Sequence, residues 1–178
     1  LTALKKMGRT RLASVALLVV FLMGSTTHLY AAIRYVKTTA TGSGNGSSWA
    51  NASGNLQAMI DASASGDEVW VAAGTYKPTA YPTGCTNCTT TRDRAFILKN
   101  GVKVYGGFPA TGTPVFANRN WAANPTILSG DIGTTNDNTD NAYHVVLSVS
   151  DGATTLLDGF TVTGGNANSG STMNVESQ

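Results

Sequence analysis

The chain has 178 residues, of which 42% are hydrophobic and 12% are charged, which is enough for a domain with a buried core. Its formal charge of +2 comes from the start of the chain. Four of the 12 Lys and Arg precede residue 12, which leaves 8 basic against 10 acidic residues, or about −2. No cluster of basic and aromatic residues follows, so we expect no nucleic-acid partner.

The first 32 residues are predicted to be a secretory signal peptide. An apolar run of 12 residues, Leu12–Met23, follows a basic start and precedes a segment that ends in small residues. The basic residues are Lys5, Lys6, Arg9 and Arg11. Retention as a membrane anchor is the alternative, but a regular helix of this length is too short to span a bilayer. We therefore expect cleavage near Ile33, no stable membrane span in the mature chain, and a secreted or cell-surface location.

The mature chain is predicted to begin with a short strand, Ile33–Lys37, and a loop over 38–48 that is rich in Gly, Ser and Thr. A helix over 53–63 follows, with Ser53 as its N-cap and Gly66 as its stop. Its apolar face is about two turns long, because three apolar residues stand three and four positions apart. These residues are Leu56, Met59 and Ile60.

A second strand is predicted within Glu68–Tyr76. Val69 and Val71 lie on one face of it, so Trp70 should point to the opposite face. Stretches rich in Pro, Gly, Thr or Asn then interrupt the strands and predict long excursions, where recognition residues are often placed. The three excursions are 77–93, 109–125 and 131–141.

Two later stretches, Ala95–Gly112 and Tyr143–Gly165, share the order apolar run, Gly turn, apolar run and Gly-Phe. Their Gly-Phe pairs begin at Gly107 and Gly159, 52 residues apart. A third short apolar run, Thr126–Leu128, lies between them. Short strands that recur with Gly and Asn turns are typical of a solenoid.

The second of these stretches admits another interpretation. Asp151-Gly152 between two alternating runs is also typical of a β-hairpin. The upstream copy of the pattern favours strands stacked turn by turn over a hairpin.

An ordered series of segments carries a family resemblance. They are RYVKTTATGSGNGSSWANASGNLQAMIDAS, GDEVWVAAGTYKPT, VKVYGGF, ILSGDIG, NAYHVV and LDGFTVTGGNAN. Together they resemble the N-terminal part of large secreted bacterial right-handed parallel β-helix proteins of the pectin-lyase-like group. The resemblance covers Ile33 to about Asn168 and implies an all-β fold whose open N-terminal end is covered by a capping α-helix. It is a poor guide to function, because the group contains lyases, hydrolases and adhesins.

The resemblance also implies the domain organisation. We expect residues 33–168 to form the cap and first rungs of a right-handed parallel β-helix, and 169–178 to be a polar tail at which a longer protein is truncated. The last rung would then present core side chains and open strand edges, and such edges favour association.

The two cysteines, Cys85 and Cys88, form a C-x-x-C pair. Behind an export signal a small disulfide loop is the favoured interpretation. Free thiols and a metal or redox role are the alternatives, although a four-ligand zinc site would need two further ligands.

Candidate catalytic residues are few. Cleavage of a polysaccharide needs paired carboxylates, or a base with calcium. Asp131 and Asp158 stand beside predicted strand ends, but neither has an evident partner and Asp158-Gly159 is typical of a turn. His144 alternates with apolar residues and should lie on an outer face. We therefore assign no catalytic residue.

The third excursion is acidic and rich in amides, and calcium prefers such oxygen ligands. Its spacing lacks the central Gly and final Glu of an EF-hand, so a solvated turn cluster is favoured over calcium. We assign no metal and no cofactor. The oxygen-bearing residues are Asp131, Asn136, Asp137, Asn138, Asp140 and Asn141.

Aromatic faces can stack on sugar rings, although packing in a core is the commoner role. The candidates are Trp49, Trp70, Trp121, Tyr81 and Tyr105. We expect a non-catalytic surface or extracellular scaffold, adhesin-like or glycan-binding, whose partners are extracellular polysaccharides or cell-surface glycans. The alternative is the N-terminal segment of a polysaccharide lyase or glycoside hydrolase with its catalytic rungs downstream.

Overall fold

The computed structural model describes residues 30–169, 172–176 and 178, and short parallel strands make up most of its regular structure. Residues 31–178 belong to one compact unit. The predicted signal peptide lies outside the described residues except for its last three positions. In the described part of the chain, no helix is both long enough and apolar enough to cross a membrane.

Nine strands and one short α-helix are present in these ranges. They are β1 (Ile33–Val36), α1 (Leu56–Asp61), β2 (Glu68–Ala72), β3 (Gly74–Tyr76), β4 (Phe96–Ile97), β5 (Lys103–Phe108), β6 (Thr126–Ser129), β7 (Val146–Leu147), β8 (Leu156–Asp158) and β9 (Phe160–Thr163). Short 3-10 turns lie at Trp49–Asn51, Thr91–Asp93 and Phe116–Asn118.

The strands form three sheets, and every strand pair within them is parallel. The first sheet has the order β1-β2-β5-β8, the second β3-β6-β9, and the third β4-β7. From β2 onwards the chain enters the first, second and third sheets in the same repeating order. The fold is therefore all-β with parallel strands, as the sequence predicts.

The pairing excludes a hairpin around Asp151-Gly152, because β7 pairs with β4 while β8 pairs with β5. The pairing also corrects the predicted length of the repeat. Tyr105 lies opposite Asp158, so the offset is 53 residues in the first sheet rather than 52. The Gly-Phe pairs are not equivalent in space: Phe108 belongs to the first sheet, whereas Phe160 follows the bend at Gly159 and belongs to the second.

The inward-facing side chains of the three sheets form one core, which alternation along each strand supplies. The buried members of this core include Val36, Leu56, Ile60, Val69, Val71, Phe96, Val102, Val104, Leu128 and Val145. Trp70 lies outside it, so Val69 and Val71 face inward and Trp70 faces outward as the alternation predicts.

Helix α1 is shorter than the predicted 53–63 and has a different N-cap. The Asn55 side chain accepts a hydrogen bond from the Ala58 backbone N–H at 3.1 Å. Ser53, predicted as the cap, instead pairs with Val36 in a parallel bridge, and its backbone N–H donates to the Tyr35 carbonyl at 2.9 Å. The predicted apolar face is present, since Leu56, Met59 and Ile60 are all buried.

Residues in and before α1 cover the outer edges of strands in the first and third sheets. The outer edge of β1 is covered because Tyr35 N–H donates to the Gly46 carbonyl at 2.9 Å and Lys37 N–H donates to the Ser53 carbonyl at 3.0 Å. In the third sheet, the Gln57 side-chain amide accepts from Ile97 N–H at 2.9 Å and donates to the Ile97 carbonyl at 3.1 Å. Gln57 thus occupies the place that another strand would take beside β4.

The opposite edge is less covered. In the described chain β8 and β9 each pair with one strand only. Leu156 on β8 and Val162 on β9 are 40% and 50% exposed. This edge therefore presents both backbone groups and apolar side chains.

Candidate functional site

The outer face of the first sheet carries a second buried cluster. Trp49, Trp70, Ala72 and Phe108 are buried there, with Tyr35 and Tyr105 packed against them. The rings of Trp70 and Phe108 stack with centroids 4.8 Å apart. Trp49 Nε1 donates to the carbonyl of Pro114 at 2.7 Å, which fixes the second excursion over this face. Trp49 and Trp70 are therefore packing residues with no free ring face for a ligand.

Arg119 lies within the second excursion and binds it to the first sheet. Its guanidinium lies over the rings of Tyr105 and Phe116, at 4.8 and 5.0 Å from their centroids. Its Nε donates to the Gly106 carbonyl at 2.8 Å and its Nη2 to Asp158 Oδ2 at 2.6 Å. The Arg119 side chain is only 13% exposed, so this charge-assisted pair fixes the orientation of the Asp158 carboxylate.

The charges around Tyr105 also act on its phenol. Burial raises the pKa of Tyr105, the Glu68 carboxylate raises it further, the Arg119 cation opposes this, and the Asp158 carboxylate adds to the rise. An ordinary tyrosine ionises near pH 10, so this phenol stays uncharged at neutral pH. The charged side chains that act on this phenol at this corner of the first sheet are Glu68, Arg119 and Asp158.

Trp121 stands beside this corner with 69% of its surface exposed. The backbone beneath it is fixed because Asn120 N–H donates to the Gly107 carbonyl at 2.8 Å. Gly107 has φ of +85°, and a Cβ there would lie 3.1 Å from Trp121 N, so the close crossing requires glycine. The indole is thus presented to solvent from a rigid support.

A shallow groove of about 240 Å³ lies against the indole. Its lining residues are Trp121, Thr126, Asp158, Gly159, Phe160 and Thr161. Asp158 and Thr161 are exposed in it, whereas Thr126 is buried and uses its Oγ1 to accept from Gly107 N–H at 2.9 Å. We call these six residues the Trp121 groove. It combines a flat apolar ring, a fixed carboxylate and a free hydroxyl.

The five aromatic residues that the sequence suggested for sugar binding thus fall into two groups, packed and exposed. Trp49, Trp70 and Tyr105 belong to the packed cluster, Tyr81 is 44% exposed on the first excursion, and Trp121 borders a groove. Arg119 was not predicted, because its partners lie up to 39 residues away and no local pattern marks it.

The two carboxylates considered for catalysis are held at different corners. Asp131 follows β6 and its carboxylate accepts from Asn136 N–H at 3.4 Å within the third excursion. Asp158 ends β8 and is paired with Arg119. Among the described residues, no second carboxylate lines the Trp121 groove.

The carboxylates of the third excursion accept hydrogen bonds within the loop, but Asp131 Oδ1 and Asp140 Oδ1 are buried without a hydrogen-bond partner. Asp140 accepts from Thr134 N–H at 2.7 Å, and Asp137 accepts from both the hydroxyl and the N–H of Thr139. These two bonds, the hydroxyl first, lower the pKa of Asp137. Within residues 30–169, 172–176 and 178, no three His, Cys, Asp or Glu side chains are grouped to hold a metal ion.

A larger cleft of about 790 Å³ lies between the first excursion and the strand region around β7. His144 is exposed in it, on the outer face that the alternation predicts. Asp93 also lines it, but accepts from the backbone N–H groups of Thr89 and Thr90 at 2.8 and 2.7 Å. Partial burial opposes ionisation of Asp93, yet the hydrogen bonds from Thr90 and Thr89 lower its pKa overall. Asp93 therefore shapes the excursion.

The structure joins Cys85 and Cys88 in a disulfide within the first excursion. Because only three positions separate them, the bond closes a short loop and removes little entropy from the unfolded chain. We expect the double substitution Cys85→Ser and Cys88→Ser to lower the free energy of unfolding by about 2 kcal/mol or less in urea titrations. The intact mass of native protein should rise by two protons on reduction, whereas two thiols that alkylate without reductant would contradict this.

Comparisons with known proteins found no matching family model, no matching curated protein and no matching solved structure. The functional argument therefore rests on geometry. Its elements are an exposed indole, a carboxylate fixed by a partly buried arginine, and a neighbouring hydroxyl.

Proposed function

We propose that this chain is an exported, non-catalytic parallel β-helix scaffold that binds glycans through the Trp121 groove. The fold part of this proposal is supported by the repeating entry of the chain into three parallel sheets. A right-handed coil follows from the strong preference of parallel strand connections for that hand. The bonds from Gln57 to Ile97 support the role of α1 as an N-terminal cap.

Export is supported by the basic start and apolar run of the first 32 residues. A disulfide between Cys85 and Cys88 is in keeping with an oxidising compartment. If the protein is exported, N-terminal sequencing of secreted material begins near Ile33.

The observation that carries glycan binding is the exposure of Trp121 beside Asp158 and Thr161. A sugar ring has an apolar C–H face and a rim of hydroxyls, so it needs a flat apolar surface with hydrogen-bonding groups at its edge. The indole supplies the first and the carboxylate and hydroxyl supply the second. At about 240 Å³ the groove is smaller than the roughly 300–1,000 Å³ of pockets that enclose drug-sized ligands, so it fits one ring of a longer chain.

The groove favours binding over cleavage. Hydrolysis of a glycosidic bond normally uses two carboxylates placed on either side of it. Asp158 is the one carboxylate among the six residues of the groove, and it is already paired with Arg119. Asp158 is therefore suited to accept hydroxyl protons in hydrogen bonds.

The test is the variant Trp121→Ala. Removing the exposed ring should weaken binding to soluble polysaccharide by at least about tenfold, since exposed tryptophans are frequent anchors of binding energy. The free energy of unfolding should change by less than about 0.5 kcal/mol because the ring is solvent-exposed. Affinity can be measured by isothermal titration calorimetry against a panel of glycans.

Two further variants sharpen this test. Trp121→Phe keeps a flat ring and should retain part of the affinity. Tyr81→Ala removes an aromatic side chain that is also exposed but does not line the Trp121 groove, and should bind as the wild type does. Equal affinity of Trp121→Ala and wild type would place any glycan site elsewhere.

A further inference from the structure

We propose that the Trp121 groove selects uncharged hexose rings and rejects acidic sugars, with Asp158 as the selecting group and Arg119 as its positioning residue. This inference rests on the proposed glycan binding and names the chemical class of the ligand. It depends on which charges of the groove a sugar can reach.

Asp158 is the ionisable residue among the six that line the groove. Its side chain is 48% exposed, and Oδ2 is engaged by Arg119. An ionised carboxylate only accepts hydrogen bonds, so its remaining lone pairs suit the hydroxyl donors of a neutral sugar. A sugar carboxylate brought next to Asp158 would meet a like charge.

Arg119 does not reverse this selectivity. Its Nε is used by the Gly106 carbonyl, and its Nη2 reaches both Asp158 Oδ2 at 2.6 Å and the Asp158 carbonyl at 3.2 Å. The rings of Tyr105, Phe108 and Phe116 surround the guanidinium at 4.8 to 5.8 Å. With 13% of its side chain exposed, Arg119 presents little of its charge to a ligand, and its bond to Oδ2 orients the carboxylate.

The backbone at Gly159 allows the Arg119 guanidinium to approach Asp158 closely. Gly159 follows Asp158 with φ of +81°, and a Cβ there would lie 2.7 Å from Arg119 Nη2. A side chain at this position would push the guanidinium away from the turn. Glycine therefore permits both the bend between β8 and β9 and the approach of Arg119.

The experiment measures selectivity rather than affinity alone. Laminarin and a galactomannan serve as uncharged probes and polygalacturonate as the acidic probe, each titrated calorimetrically into the full chain. Wild type should bind an uncharged probe at least tenfold more tightly than polygalacturonate. Asp158→Asn, which keeps the shape and removes the charge, should weaken uncharged probes about tenfold and strengthen polygalacturonate.

Asp137→Asn is the matched control. It removes the same charge from the third excursion, outside the groove, so the ratio of the two affinities should stay as in wild type. Arg119→Lys retains the cation but loses the fork of donors, so it should weaken uncharged probes. It should have no additional effect when combined with Asp158→Asn, because it acts through Asp158.

The outcomes separate this inference from the function on which it rests. If wild type binds none of the three probes, glycan binding itself fails. If wild type binds polygalacturonate as tightly as the uncharged probes, or Asp158→Asn weakens both classes equally, glycan binding stands and the selectivity is overturned. Additive effects of Arg119→Lys and Asp158→Asn would remove the positioning role of Arg119.

Discussion

Phe108→Ala is expected to lower the free energy of unfolding by about 3–5 kcal/mol, the usual cost of emptying a buried phenylalanine site. Domains of this kind are stabilised by roughly 5–15 kcal/mol in total, so the variant would lose a large share of its stability. The Phe108 ring is fully buried although it lies on the outer face of the first sheet.

The physical reason is the packing of this ring. It stacks on Trp70 at 4.8 Å and lies 5.5 Å from Trp49, so its loss leaves a cavity between two indoles. Arg119 also contacts the ring, at 5.8 Å from its centroid. Removal would therefore also loosen the positioning of Asp158, and glycan affinity should fall together with stability.

Urea unfolding followed by tryptophan fluorescence measures the effect. Phe116→Ala is the matched control, because the Phe116 ring packs against the same cluster but is 43% exposed. We expect it to cost about 1–2 kcal/mol, in proportion to its smaller buried area. If Phe108→Ala cost no more than Phe116→Ala, the outer aromatic cluster would not be a second core.

The alternation of side chains along a strand is what allowed the sequence to predict which residues face inward and which face outward. Val69, Trp70 and Val71 are neighbours whose faces follow from period two alone, and the structure places them accordingly. The sequence could not show that the outward face is buried. That depends on the second excursion, which Trp49 reaches by a hydrogen bond to a residue 65 positions away.

The misassigned repeat has a similar cause. Two Gly-Phe pairs look equivalent in the sequence, but β5 continues to Phe108 while the later strand bends at Gly159. Where a chain leaves a sheet depends on packing against neighbouring segments: a Cβ on Gly106, for example, would lie 2.5 Å from the Gly159 carbonyl oxygen. A pattern of residue types therefore predicts strands better than it predicts their register.

Helix α1 shows the same limit for polar residues. The spacing of Leu56, Met59 and Ile60 predicts the apolar face correctly, whereas for Gln57 it indicates only a position away from that face. It is 9% exposed, and its partner Ile97 is 40 residues further along the chain. No local signal in the sequence distinguishes a glutamine that completes a sheet from one that faces water.

This role makes Gln57→Leu the second variant with a large expected effect, a loss of about 2–5 kcal/mol. The N–H groups of Phe96 in β4 and of Leu98 just after it donate to the carbonyls of Val145 and Leu147. Ile97 faces the other way and is 1% exposed, so its N–H and carbonyl depend on the Gln57 amide. Leucine replaces the amide with an apolar group of similar volume and so leaves two buried backbone groups unpaired, at about 1–3 kcal/mol each.

Asp61→Ala is the matched control for this variant. It removes the other partner of the Gln57 amide, whose Nε2 donates to Asp61 Oδ1 at 2.7 Å, and leaves both bonds to Ile97 in place. Because Asp61 is exposed, we expect a cost below about 1 kcal/mol in the same urea titration.

Hydrogen exchange separates the loss of these two bonds from a general loosening of the fold. In Gln57→Leu the Ile97 amide should lose protection beyond the drop in global stability, because local opening at this edge no longer requires unfolding. The amides of Phe96 and Leu98, which bond to the neighbouring strand, should lose only the global amount. Equal losses at all three positions, or a stability change no larger than that of Asp61→Ala, would show that Gln57 does not complete the third sheet.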